Sequence, residues 1–113
     1  MVRLLMVSML MMWTLPSSSS AEEVLIMGAG SRSCGQWLQA RRDRSHLHLE
    51  MRAWILGYLS AVSASGPLHS SILRGVDGDG ISFWVDNYCQ SNPLHVLFSA
   101  ADKFAEERSR QVR

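Results

Sequence analysis

The sequence predicts an all-α fold, a compact bundle of about four helices stapled by one disulfide after a cleaved signal peptide, and three observations carry that expectation. Beyond Ser33, apolar side chains return at intervals of three and four residues, the period of a helix with one buried face. Cys34 and Cys89 are the two cysteines of the chain. The N-terminal residues have the layout of an export signal: Arg3 is the positive head, Leu4 to Leu15 is apolar but for Ser8 and Thr14, and Pro16 stops any helix. Ser19 and Ala21 are the small residues a signal peptidase requires at the third and first positions before its cut, which places the mature start near Glu22. The apolar run is about a dozen residues, short of the roughly 20 that span a bilayer, so a cleaved signal fits it better than a retained anchor. Export leads to an oxidising compartment, where an even pair of cysteines with no thiol left over forms a disulfide.

These signals divide the chain into a signal peptide at 1–21, an extended lead-in at 22–32, a helical domain at 33–108 and a polar tail at 109–113. In the lead-in, Val24 to Met27 is a short apolar run suited to packing against the domain. Ser33 with Gln36 three residues on is a capping-box pattern, and Cys34, Trp37, Leu38 and Arg41 share one face of the helix that follows. The second helix is marked by Leu47, Met51, Trp54, Ile55, Tyr58, Leu59 and Val62. Gly57 within it costs about 1 kcal/mol relative to alanine, which points to the close approach of another backbone. Ser63 to Gly66, followed by Pro67, ends that helix, and the stretch from Pro67 to Gly80 reads as loop with a helical turn near Ser70 to Leu73. Asp79 is the expected N-cap of the third helix, whose stripe is Ile81, Trp84, Val85 and Tyr88, with Cys89 one turn after Val85. Asn92 before Pro93 has the pattern of a cap and first position for the last helix, in which Leu94, Leu97, Phe98, Ala101 and Phe104 share a face. The expected core is Trp37, Leu38, Met51, Trp54, Ile55, Tyr58, Leu59, Trp84, Val85, Tyr88, Leu97 and Phe98.

Removing the signal leaves roughly 90 residues, a size at which the core alone gives marginal stability. A disulfide closing a loop of about 55 residues adds about 4 kcal/mol on the chain-entropy account. Without Arg3 the positive and negative side chains balance, which argues against nucleic acid as a partner. The arginine cluster Arg41, Arg42 and Arg44, with Asp43 inside it, reads as a solvated helix end. Val24 to Gly35 imitates a strand and a glycine-rich phosphate loop, yet no later strand-like run exists for it to pair with. Gly30 and Gly35 have the Walker separation, but Gln36 and Trp37 stand where lysine and serine or threonine belong. The Asp77 to Gly80 run suggests calcium until the register is followed: Ile81 falls at the fifth loop position and Tyr88 at the twelfth, where oxygen ligands are required. His46 and His48 lie on different helix faces, and His69 and His95 lack partners at ligand spacing. No metal, no cofactor and no catalytic nucleophile with its base is expected.

Phe83 falls off the stripe of the third helix, and Leu49, Ala53 and Leu56 fall off the main face of the second. Either the second helix is buried on two sides, or Leu49, Ala53, Leu56 and Phe83 form a candidate binding face for other proteins.

Ser33-Cys34-Gly35-Gln36-Trp37-Leu38, then Trp54 and Gly57-Tyr58 on a long helix, then Gly80-Ile81, and Tyr88-Cys89-Gln90-Ser91-Asn92-Pro93 with Leu97 following, resembles the small periplasmic acid-stress chaperones of the HdeA/HdeB type. The same layout is similar to the related Tai-type immunity proteins, which neutralise secreted peptidoglycan amidases. The likeness runs from Ser33 to about Phe104. It implies a non-enzymatic stress-response protein in the periplasm of a Gram-negative bacterium, with other proteins as partners and room for a homodimer. The chaperone resemblance implies a closed form at neutral pH, and opening toward unfolding clients as carboxylates such as Asp86 or Asp102, paired with arginines, are protonated. The disulfide would keep the opened chain compact. The immunity resemblance implies instead that an exposed loop such as Pro67 to Gly80 plugs the active site of one envelope enzyme.

Overall fold

Four helices form where the apolar stripes repeat: α1 (Cys34–Asp43), α2 (His46–Ala64), α3 (Gly78–Ser91) and α4 (Leu97–Gln111). The computed structural model describes residues 23–111, so the expected signal peptide, Glu22 and the last two residues of the expected tail lie outside the described residues. Ser33 caps α1 as its sequence requires, accepting from the Gln36 N–H at 3.1 Å while the Ser33 N–H donates to Gln36 Oε1 at 3.0 Å. Backbone bonds from Cys34 N–H to the His95 carbonyl (2.8 Å) and from Leu97 N–H to the Arg32 carbonyl (2.9 Å) join the starts of α1 and α4. Cys34 and Cys89 form the expected disulfide, with Cα atoms 4.8 Å apart. Two further pairings run with it, Trp37 to Asp86 and Arg41 to Phe83, so partners on α3 step backward as α1 advances and the two helices are antiparallel.

Trp37, Met51, Ile55, Leu59, Val85 and Leu97 are fully buried together with both cysteines. Leu38, Tyr58, Trp84 and Tyr88 are half-buried and pack against that cluster, and Phe98 is half-buried with its ring edge-on to Tyr58 at 5.5 Å. Trp54, expected at the centre of the stripe, is instead half-buried on the flank. Its indole covers a short 3₁₀ turn at Gly28–Ser31 and donates to the Met27 carbonyl at 2.9 Å. That contact explains the glycines of the lead-in. A Cβ on Gly30 would stand 2.2 Å from the Trp54 ring, and Gly28 has a φ of 73°, which favours glycine. The lead-in is therefore partly helical, and it docks through its backbone and turn while Val24, Leu25 and Met27 are exposed at 68%, 78% and 83%.

Other expectations are corrected locally. Gly57 faces open space among the described residues, with no other backbone near it. Asp77, not Asp79, caps α3, accepting from the Gly80 N–H at 2.8 Å, while Asp79 pairs with Arg52. Asn92 closes α3, its side-chain amide donating to the Tyr88 carbonyl at 2.9 Å, so Pro93 sits in a turn and Leu94 is exposed rather than on the face of α4. Helix α4 starts only at Leu97 because Ser33 and Val96 pair as an isolated bridge before it. It continues to Gln111, past the expected end of the domain, and Ser109 in that last stretch is buried. The segment between α2 and α3 is held down: Ile72 is fully buried, and Arg108 donates to the carbonyls of Ile72 (2.9 Å) and Arg74 (2.6 Å).

Candidate functional site

Helical spacing places Arg41 one turn beyond Trp37 on α1, and Asp86 three residues before Cys89 on α3. Because the disulfide sets the register of this antiparallel pair, Asp86 comes to face both residues. It accepts from Trp37 Nε1 at 2.8 Å, from Arg41 Nε at 2.9 Å and from Arg41 Nη2 at 2.7 Å, a charge-assisted fork at side chains that are 19% and 25% exposed. Arg41, read from sequence as part of a solvated helix end, is thus a joint between helices. The available signal was its position on the same face as Cys34 and Trp37.

His48, in the first turn of α2, completes the cluster. Its ring meets Trp37 edge-on at 5.4 Å, and its Nε2 lies 3.3 Å from Arg41 Nη1. Arginine has only donors, so a hydrogen bond here has Nε2 as its unprotonated, accepting nitrogen. Burial, and then repulsion from Arg41 and Arg52, hold the imidazole below its ordinary value against the attraction of Asp86. The Arg41 guanidinium is raised by its hydrogen bonds to Asp86, with burial opposing.

Phe83 lies on the outer side of this joint, 63% exposed, with the Arg41 guanidinium carbon 5.6 Å from its ring centroid. It borders a shallow groove of about 600 Å³ lined also by Leu38, Arg42, Arg44, His48 and Gln90. Leu49 is 57% exposed and Ala53 is exposed, but neither lines this groove, and Leu56 packs against the core. The four residues of the expected binding face are therefore not one patch: Phe83 belongs to the α1–α3 groove, and Leu49 and Ala53 to the outer side of α2.

Two smaller hollows are already occupied in their chemistry. A notch of about 220 Å³ between Trp84 and Phe104 has Arg108 at its rim, and that side chain is engaged by backbone carbonyls. A hollow of about 440 Å³ between α2 and α4 is crossed by His69, whose Nδ1 lies 3.2 Å from the Ser109 hydroxyl. His95 likewise pairs with the Tyr88 hydroxyl at 2.6 Å, and Asp102 accepts from the Tyr58 hydroxyl at 3.0 Å rather than from an arginine. Among the described residues no group of three or more His, Cys, Asp or Glu side chains is placed to hold a metal, and no helix is long and apolar enough to cross a membrane. No protein-family model, curated protein or solved structure matches the chain.

Proposed function

We propose that this is an exported, non-enzymatic protein-binding domain of the periplasm, acting as an acid-stress chaperone in the manner of the HdeA/HdeB proteins its sequence resembles. The observation that carries the reading is the ionic joint of Trp37, Arg41, His48 and Asp86 beside a covalent staple. Protonating Asp86 removes the attraction that binds α1 to α3 through Arg41. Protonating His48 places an N–H against a donor-only guanidinium and adds charge beside Arg41 and Arg52. Both events act in one direction as pH falls, and the disulfide keeps α1 and α3 together while their flanks part. Apolar side chains of the core then become available to unfolding proteins.

The test acidifies the purified protein to about pH 2–3, follows binding of an apolar-surface dye, and asks whether an acid-labile client stays in solution. Dye binding together with client protection is the expected result. A protein that stays closed and protects nothing would sink the reading, and tight binding to a secreted amidase at neutral pH would replace it with the immunity role.

A further inference from the structure

The partners that hold Arg108 are neutral, so they use its donors and leave its charge unanswered. Its Nε and Nη2 donate to the Ile72 and Arg74 carbonyls and its Nη1 to the Gln111 amide oxygen at 3.3 Å. A guanidinium has five N–H donors, so one on Nη1 and one on Nη2 remain. Arg108 forms no ion pair among the described residues, and neither does Glu107 beside it in the chain, whereas Glu106 is paired with both Lys103 and Arg110. The two unpaired side chains of opposite sign stand at one place, the notch between Trp84 and Phe104. Its walls are apolar: Val76 and the rings of Trp84 and Phe104, which meet edge-on at 5.4 Å, while Gly80 leaves its own side of the notch without a side chain. At about 220 Å³ the notch is larger than the roughly 150 Å³ of an apolar cavity that takes up benzene. The other nearby charges, Asp77 at the cap of α3 and the Glu106–Arg110 pair, do not line it.

We propose that this notch binds a free aromatic α-amino acid. The ring enters between Trp84 and Phe104, the carboxylate meets the remaining N–H groups of Arg108, and the ammonium meets Glu107. Charge selects this class of ligand from its neighbours. A plain aromatic hydrocarbon fills the walls and leaves both rim charges as they are. An aromatic acid answers Arg108 but stands beside the Glu107 carboxylate, and an aromatic amine meets the reverse. A zwitterion answers both. Because the Ile72 and Arg74 carbonyls already fix Arg108, little side-chain freedom is lost when the ligand arrives. The site is separate from the α1–α3 joint and needs no acid.

Titrating the mature protein with L-phenylalanine at neutral pH, followed by NMR of the indole N–H signals, tests this. The Trp84 signal should move and saturate with a dissociation constant on the order of 1 mM, while those of Trp37 and Trp54 stay in place. Phenylpropionate, which lacks the ammonium, and phenethylamine, which lacks the carboxylate, should each bind about fivefold more weakly. Glu107→Gln removes no described ion pair, and should weaken phenylalanine by about fivefold while phenylpropionate binds no worse. Val76→Phe should fill the notch and abolish binding of all three compounds. If that variant does not fold, the Glu107→Gln comparison decides alone. A Trp84 signal that phenylalanine does not move well above 1 mM overturns the proposal. So does toluene binding as tightly as phenylalanine, which would reduce the notch to an apolar hollow, or an unchanged phenylalanine affinity in Glu107→Gln.

Discussion

Between α1 and α3 the contacts are covalent and ionic: Cys34 with Cys89, and Trp37, Arg41 and His48 around Asp86. Between α2 and α4 they are apolar and neutral, with Met51, Ile55 and Leu59 buried on one side, Ala100, Ala101 and Ala105 on the other, and a Tyr58 to Asp102 hydrogen bond at the margin. The difference separates the conditions that threaten each half. Acid acts on the charges of the first, where the disulfide limits how far the helices can part. At the second, the described contact holds one carboxylate, Asp102, accepting from the neutral Tyr58 hydroxyl, while on the outer side of α4 hydrogen bonding to Lys103 and the charge of Arg110 hold Glu106 below the usual carboxylate range.

The largest effects test how much each half contributes to stability. Trp37→Ala removes a fully buried indole and its bond to Asp86, and should cost about 3–5 kcal/mol in denaturant unfolding. Trp54→Ala, on the half-buried flank over Gly30, should cost about 2 kcal/mol, within the usual range for point changes. Equal losses would show that the two tryptophans do not differ as their burial says. Cys34→Ser with Cys89→Ser should lower stability by about 4 kcal/mol, read from the shift in denaturant midpoint, and reducing the native protein should reproduce it.

The helices and the disulfide were legible because period and cysteine parity are local or countable properties. Trp54 shows where legibility ends: it sits on the stripe with Ile55 and Tyr58, but a stripe wider than the core leaves its edge residues half-covered. What covers it is a turn whose glycines imitate a phosphate loop in sequence. The Arg41–Asp86 joint was half legible, since the face carried Arg41 and the acid was a named candidate, but their pairing depends on the register of two helices some 45 residues apart in the chain. Ile72 was missed because the turn around Ser70 to Leu73 is too short for its sequence to show which apolar side chain faces the core; Leu73 and Val76 pack there too, and Arg108 from a distant helix holds the Ile72 carbonyl.

Intermediate effects bear on the acid-sensitive half. Asp86→Asn keeps an acceptor for Trp37 but leaves Arg41 without its counter-charge, and should cost about 1–3 kcal/mol at neutral pH. The same change should narrow the gap between neutral and acid stability, because the Arg41–Asp86 attraction is already absent at neutral pH. His48→Gln should act on pH dependence more than on neutral stability. The folded-state value of His48 is lowered, so its contribution is complete above the ordinary histidine value and declines as pH falls through the folded one. Thermal melts between neutral and mildly acidic pH should slope less in the variant than in the parent. An unchanged slope would remove His48 from the joint.

The smallest effect lies in the other half and has the opposite sign. Burial and the hydrogen bond to Asp102 push the Tyr58 phenol up to about 12 from its ordinary 10. A raised folded-state value means that the neutral phenol favours the folded protein: its contribution is full below the ordinary value and is lost as pH rises through about 12. Tyr58→Phe should cost about 1 kcal/mol at neutral pH, for one hydrogen bond at a half-buried site. It should also leave acid unfolding unchanged while reducing the loss of stability in strong alkali. Following phenolate absorbance in the parent and the variant assigns the late-titrating step, since Tyr88 is the other tyrosine and is itself raised by burial, with Lys103 opposing. If Tyr58→Phe changes the acid limb instead, the division of the molecule into an ionic α1–α3 contact and a mainly apolar α2–α4 contact fails, because the Tyr58–Asp102 hydrogen bond would then take part in the acid opening.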